Sequence, residues 1–198
     1  MRKPLIILAV AALAQWAVPV EMLLGHREVL REGTAWKFRL APVDPHDPFR
    51  GEYVRLDFDV EQLTLPGDSC LFTRDQRAYA LLQEDAQGFA RFSDLRTEAP
   101  AEGAFLNVRV NYCWLDEDSI GYRIAMPVDR YYLPEGEGPI AEQATNGWIP
   151  DLDNDSLPLP QAYALVRILD GEAALEEVYV DDLPLREWVR LQATSAGD

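Results

Sequence analysis

The sequence predicts a mainly β domain, a β-sandwich or barrel-like fold with a few short helices, set behind an N-terminal transmembrane helix. Three observations carry this expectation. The N-terminus is an uncharged apolar run, residues 34–184 hold many short segments of alternating polarity, and no long helical period occurs among them.

The apolar run comes first. Met1-Arg2-Lys3 precedes PLIILAVAALAQWAVPV, in which Gln15 is the single strongly polar residue. A bilayer core of about 30 Å needs about 20 helical residues, and residues 4–24 supply them. Arg2 and Lys3 hold the N-terminus on the cytoplasmic side, and Trp16 and Glu21 mark the outer interface. The expected organisation is a signal anchor over residues 1–24, a short helical connector over 25–33 stopped by Gly33, and an extracytoplasmic domain over 34–198. A cleaved signal peptide is the competing reading, with small residues correctly spaced at Ala12-Leu13-Ala14. Either way the domain lies outside the cytoplasm. Cys70 and Cys113 suit an oxidising compartment, as a disulfide or as two separate buried thiols.

The period then changes. Trp36, Phe38 and Leu40 alternate with Lys37 and Arg39, which reads as a half-buried strand. Val54, Leu56 and Phe58 alternate with Tyr53, Arg55 and Asp57 as a second. Residues 78–84 and 89–95 flank Glu84-Asp85-Ala86-Gln87-Gly88, a hairpin signal. Strands follow at 104–114, 120–126 and 128–133, and a closing hairpin turns at Gly171-Glu172. Residues 185–193 read as a short terminal helix, and the Pro-, Gly- and Asp-rich stretch 134–160 as a long surface excursion.

Charge narrows the partners. The chain has 34 acidic and 18 basic residues, a formal net charge of −16. Such a surface repels phosphate backbones, which argues against nucleic acid.

The richest local chemistry is DPHDPFRGEYVRLDF, residues 44–58. Asp44-Pro45 and Asp47-Pro48 preset two turns, because each Asp can cap backbone N–H groups while proline fixes φ. Gly51 then permits an unusual backbone angle. The segment reads as a rigid corner or as a recognition loop presenting Asp44, Asp47, Arg50, Glu52 and Tyr53. It resembles the defining segment of the bacterial GDYXXLXY family through Gly51, Tyr53, Leu56 and the aromatic Phe58. Glu52 stands where the family has Asp, and Phe58 where it has Tyr. A second similar segment is Arg130-Tyr131-Tyr132-Leu133-Pro134-Glu135-Gly136. The resemblance implies a protein anchored in the bacterial inner membrane, with its C-terminal domain outside the cytoplasm. It points to membrane lipid, and to a polytopic membrane protein, as partners. It implies no reaction and no cofactor. The candidate binding residues are Asp44, Asp47, Arg50, Gly51, Glu52, Tyr53, Leu56, Tyr132 and Glu135.

Other sites are weaker. Asp151, Asp153 and Asp155 occupy the first three ligand positions of a calcium loop, but Ser156 replaces the turn glycine and Ala162 the bidentate Glu. His26 and His46 lack a metal-ligand spacing to one another or to cysteine. No nucleophile elbow and no phosphate-cradling glycine loop occurs. The expected role is a binding or accessory module for an envelope or membrane-protein partner. The alternative is an envelope enzyme using carboxylates near GEYVRLDF.

Overall fold

A computed structural model describes residues 2–41, 53–146 and 161–195. The chain opens with one continuous helix, α1 (Arg2–Glu32), that carries Pro19 within it. It stops where the sequence indicates. The Gly33 N–H donates to the Val29 carbonyl at 2.9 Å, and a Cβ at Gly33 would sit 2.4 Å from that same oxygen. Only glycine lets the chain turn this tightly into the next strand.

Strand β1 (Thr34–Ala41) follows, then β2 (Tyr53–Arg55) and β3 (Asp57–Phe58). A 3₁₀ turn (Asp59–Glu61) leads into β4 (Gln62–Pro66). Next come β5 (Gln76–Glu84), β6 (Ala90–Arg96), β7 (Phe105–Leu115), β8 (Ser119–Ala125) and β9 (Arg130–Tyr132). A helix α2 (Gly138–Asn146), the hairpin β10 (Ala162–Leu169) and β11 (Glu172–Val180), a short β12 (Leu183–Pro184) and α3 (Leu185–Ser195) complete the chain.

The strands form two five-stranded sheets, ordered β12-β11-β10-β1-β3 and β4-β8-β7-β5-β6, and a ribbon of β2 with β9. All pairings within them are antiparallel. The result is the expected mainly β, barrel-like domain. Two connections stitch the sheets. On one side the chain leaves β3, at the edge of the first sheet, and enters β4 of the second through the 3₁₀ turn. On the other, the tip of the β10–β11 hairpin bridges Gly171 to Leu106 of β7. That tip is an Asp170-Gly171 turn with both residues at positive φ, the geometry a two-residue hairpin requires.

Alternation fills the core. Phe38 from β1, Val54 and Leu56 from the motif segment, Ala80 and Leu82 from β5, and Leu106, Val108 and Val110 from β7 are buried in one cluster. Large side chains face small ones across the ladder, as where Phe38 pairs with Ala164. In the turn after β5, the Asp85 carboxylate accepts from the N–H groups of Phe89 and Gln87, at 2.9 and 2.8 Å. These bonds and Arg39 hold its pKa well below the usual carboxylate range.

Four expectations need revision. The strand expected over 53–58 is two strands: β2 pairs with β9 and β3 with β1, although Val54, Leu56 and Phe58 all point inward as expected. The excursion expected over 134–160 holds α2, which packs on α3 and buries Ala141 and Ala144. Two small residues at helical spacing are too faint a period to read in a Pro/Gly-rich context. Strand β4 escaped notice because only Leu63 and Leu65 alternate there. Finally, among the described residues no helix is long and apolar enough to cross a membrane. The transmembrane character expected of residues 1–24 is thus unsupported by the fold, though the helix itself is present.

Candidate functional site

The segment that follows Tyr53 positions a charged hollow of the domain. Along it, Leu56 and Phe58 turn inward and Arg55 and Asp57 turn outward. The 3₁₀ turn breaks this alternation. It sends Asp59 to one side and buries Glu61, which is only 7% exposed. A buried carboxylate requires a partner. Arg123 of β8 provides it, with Nη2 at 2.9 Å from Glu61 Oε2 and 3.8 Å from Asp57 Oδ2. Arg55 approaches Asp57 at 3.5 Å from the other side.

Above this network lies a cleft of about 310 Å³ lined by Ala41, Asp57, Phe58, Asp59, Gln62 and Arg123. A smaller hollow of about 200 Å³ adjoins it, shares Asp59 and Gln62, and adds Arg39 and Arg91. Its polar groups offer both donors and acceptors, an arrangement suited to hydrogen-bonding a polar ligand. Burial raises the Asp59 pKa against the pull of Arg39. Glu61 does not line the cleft; it supports Arg123 from beneath. An acid–base pair needs both carboxyl groups to face the reacting bond. Here Arg123 ties Asp57 to the occluded Glu61. Among the described residues no group of His, Cys, Asp or Glu is arranged to hold a metal ion.

Glu61 gives this network a pH signature. Burial pushes its pKa up to about 7, against Arg123 and Arg55, which pull it down; Asp57 adds to the rise, and the Met126 N–H lowers it. A carboxyl raised in the folded state stabilises the fold at pH values below its ordinary value, and that contribution is lost as pH rises through 7. The loss is on the order of 3 kcal/mol. Glu61→Gln mimics the protonated group. It is expected to match the wild type at pH 4 and to exceed it in urea unfolding at pH 8 by about 3 kcal/mol. A variant less stable than the wild type at pH 8 would mean that the Arg123 ion pair outweighs the cost of burial.

The residues singled out from sequence divide into three groups. Tyr53 and Tyr132, from the two family-like segments, are direct cross-strand partners in the β2–β9 ribbon, with ring centroids 5.9 Å apart. The Arg130 guanidinium lies 5.2 Å from the Tyr53 ring centre, and Tyr132 is 64% exposed. The fold therefore joins two segments that sequence reading kept apart. Leu56 is buried core rather than binding surface, and Glu135 is exposed in the turn beyond β9. Asp44, Asp47, Arg50, Gly51 and Glu52, and the calcium-loop residues Asp151, Asp153 and Asp155, lie outside the described residues. Cys70 and Cys113 are bridged, with Cα atoms 6.3 Å apart. Sequence reasoning missed Asp57, Asp59, Glu61 and Arg123 as a group. The trace of it in the sequence is Asp57, which stands within GEYVRLDF, the segment whose carboxylates carried the enzyme alternative.

The family described as GDYXXLXY protein matches residues 15–178, which include both aromatic segments and the whole of both sheets except the last short strand and the end of β11. Among curated proteins and solved structures, none matches the chain.

Proposed function

The chain belongs to the GDYXXLXY family, and from that premise we propose that it is a membrane-anchored extracytoplasmic module that binds an envelope or membrane-protein partner. The observation that carries the anchor is the surface of α1. Trp16, Val18, Val20, Met22, Leu23 and Leu24 are between 49% and 71% exposed. The domain touches the helix near its C-terminal end, where Val29 is buried. A row of large apolar side chains projecting beyond the domain demands an apolar environment. The preceding residues 4–10, PLIILAV, extend the apolar run, and Arg2 and Lys3 orient it. The Cys70–Cys113 bridge supports an oxidising compartment for the domain. A module reading is favoured over an enzyme because Arg123, the cation of the cleft, is held by the buried Glu61 carboxylate beneath it and by Asp57. The exposed Tyr132 beside Tyr53 supplies an aromatic contact surface of the kind enriched at interfaces.

In fractionated cells the full chain is expected in the inner-membrane pellet, resistant to alkaline carbonate. Removal of residues 2–24 is expected to release it to the soluble fraction. Protease added to spheroplasts should digest the domain. A full-length chain that washes off with carbonate, or is protected from protease, would overturn the anchor or its orientation. For the module, crosslinking in membranes should capture one specific partner, and Tyr132→Ala should reduce its yield without changing the melting temperature.

A further inference from the structure

We propose that the outer face of the second sheet carries an anion-binding site for a small carboxylate- or phosphate-bearing molecule, held by Arg77 and Arg109. These two residues are direct cross-strand partners on β5 and β7. They share the outward face of the sheet, where both are exposed. Side chains directly opposite in an antiparallel pair have Cβ atoms about 5 Å apart, and like charges there repel. The surrounding chain carries 34 carboxylates. Arg31, Arg39, Arg55, Arg130 and Arg167 each take one, and Arg123 takes two. Arg77 and Arg109 form no ion pair among the described residues. Two guanidinium groups kept adjacent, with no ion-pair partner among the described residues, are matched to an anion that arrives from solution. Their planar donor forks fit carboxylate or phosphate oxygens two at a time.

The site has walls as well as charge. A groove of about 340 Å³ lies beside the pair, within the range of small-ligand pockets. One wall is the end of β8, Ala125 with Met126 and Pro127. The other is the β10–β11 hairpin tip, where the Asn107 N–H donates to the Gly171 carbonyl at 2.9 Å. Asn107 Nδ2 also holds the Glu172 carboxylate at 3.0 Å, which places an acceptor across the groove from the arginines. Tyr79, packed edge-on against Phe105 with centroids 5.7 Å apart, gives the groove an apolar side. A ligand with an anionic end for Arg77 and Arg109, and a hydroxyl or ammonium donor for Glu172, satisfies every charged group present.

The test is isothermal titration of the full chain in detergent micelles, at ionic strength matched with sodium chloride. The probes are citrate in one arm and inorganic phosphate in the other, which separates carboxylate from phosphate chemistry. Saturable binding in either arm is expected. Arg77→Gln and Arg109→Gln are each expected to weaken it about tenfold or more, whereas Arg74→Gln, on the exposed loop before β5, leaves it unchanged. Lifting the like-charge repulsion should leave the melting temperature of either variant equal to or above that of the unliganded wild type, so lost binding is not lost folding. Absence of saturable heat in both arms, or binding equal in wild type and in the Arg77→Gln/Arg109→Gln double variant, would overturn the proposal.

Discussion

Phe58→Ala is expected to destabilise the domain by about 3–5 kcal/mol, the range for a fully buried aromatic. Phe58 is 1% exposed and meets Phe38 edge-on at 6.0 Å, while Phe38 in turn lies 6.3 Å from Phe92 of the second sheet. The aromatic position of the family motif is thus one end of a ring chain that spans both sheets. Truncating it opens a cavity where the chain crosses from β3 toward β4, so the loss falls on the joint between the sheets. Leu56→Ala, also 1% exposed, should cost about 2–5 kcal/mol by the same mechanism. Arg55→Ala, whose side chain is 70% exposed, should stay within about 0.5 kcal/mol of wild type. Urea unfolding followed by tryptophan fluorescence measures all three. A Phe58→Ala loss under about 1 kcal/mol would place that ring outside the core.

Opening the Cys70–Cys113 bridge is the second large effect. The bridge spans 43 residues. On the chain-entropy account a loop of that length contributes about 4 kcal/mol by restricting the unfolded chain. The closed loop contains β5, β6 and most of β7, so reduction frees the centre of the second sheet in the unfolded state. The unfolding midpoint should fall with reductant in the wild type and show no response in Cys70→Ala/Cys113→Ala, which should match the reduced wild type. Equal midpoints for oxidised and reduced wild type would show that the bridge adds no stability.

Much of the architecture was legible before any coordinates. The β1 strand, the hairpin through Asp85, the β7 strand, the closing hairpin at Gly171 and the terminal helix all fall where alternation and turn residues put them. Each reports a local cause: one face wet and one dry, or a backbone angle that glycine alone adopts readily. The candidate site was legible only in part. Tyr53 and Tyr132 stood out as aromatic members of two similar segments, but 79 positions separate them, and nothing local states that they pair. Leu56 shows the converse. Its place in a motif suggested binding, yet its inward position between β2 and β3 makes it core.

The sequence by itself determined the family, the barrel-like β class, the apolar N-terminal run and the turn at Gly33, because each depends on neighbouring residues or on spacing along the chain. Tertiary structure alone decided which strands pair, that 53–58 divides between a ribbon and a sheet, and that Cys70 reaches Cys113. It also decided that Glu61 is buried against Arg123 and that Arg77 stands opposite Arg109. These are contacts between residues distant in sequence, and charge, burial and pKa follow from who stands nearby in space. The expected membrane span divides along the same line. The helix is a local property already present in the chain, whereas its exposed apolar row depends on how little of α1 the folded domain covers.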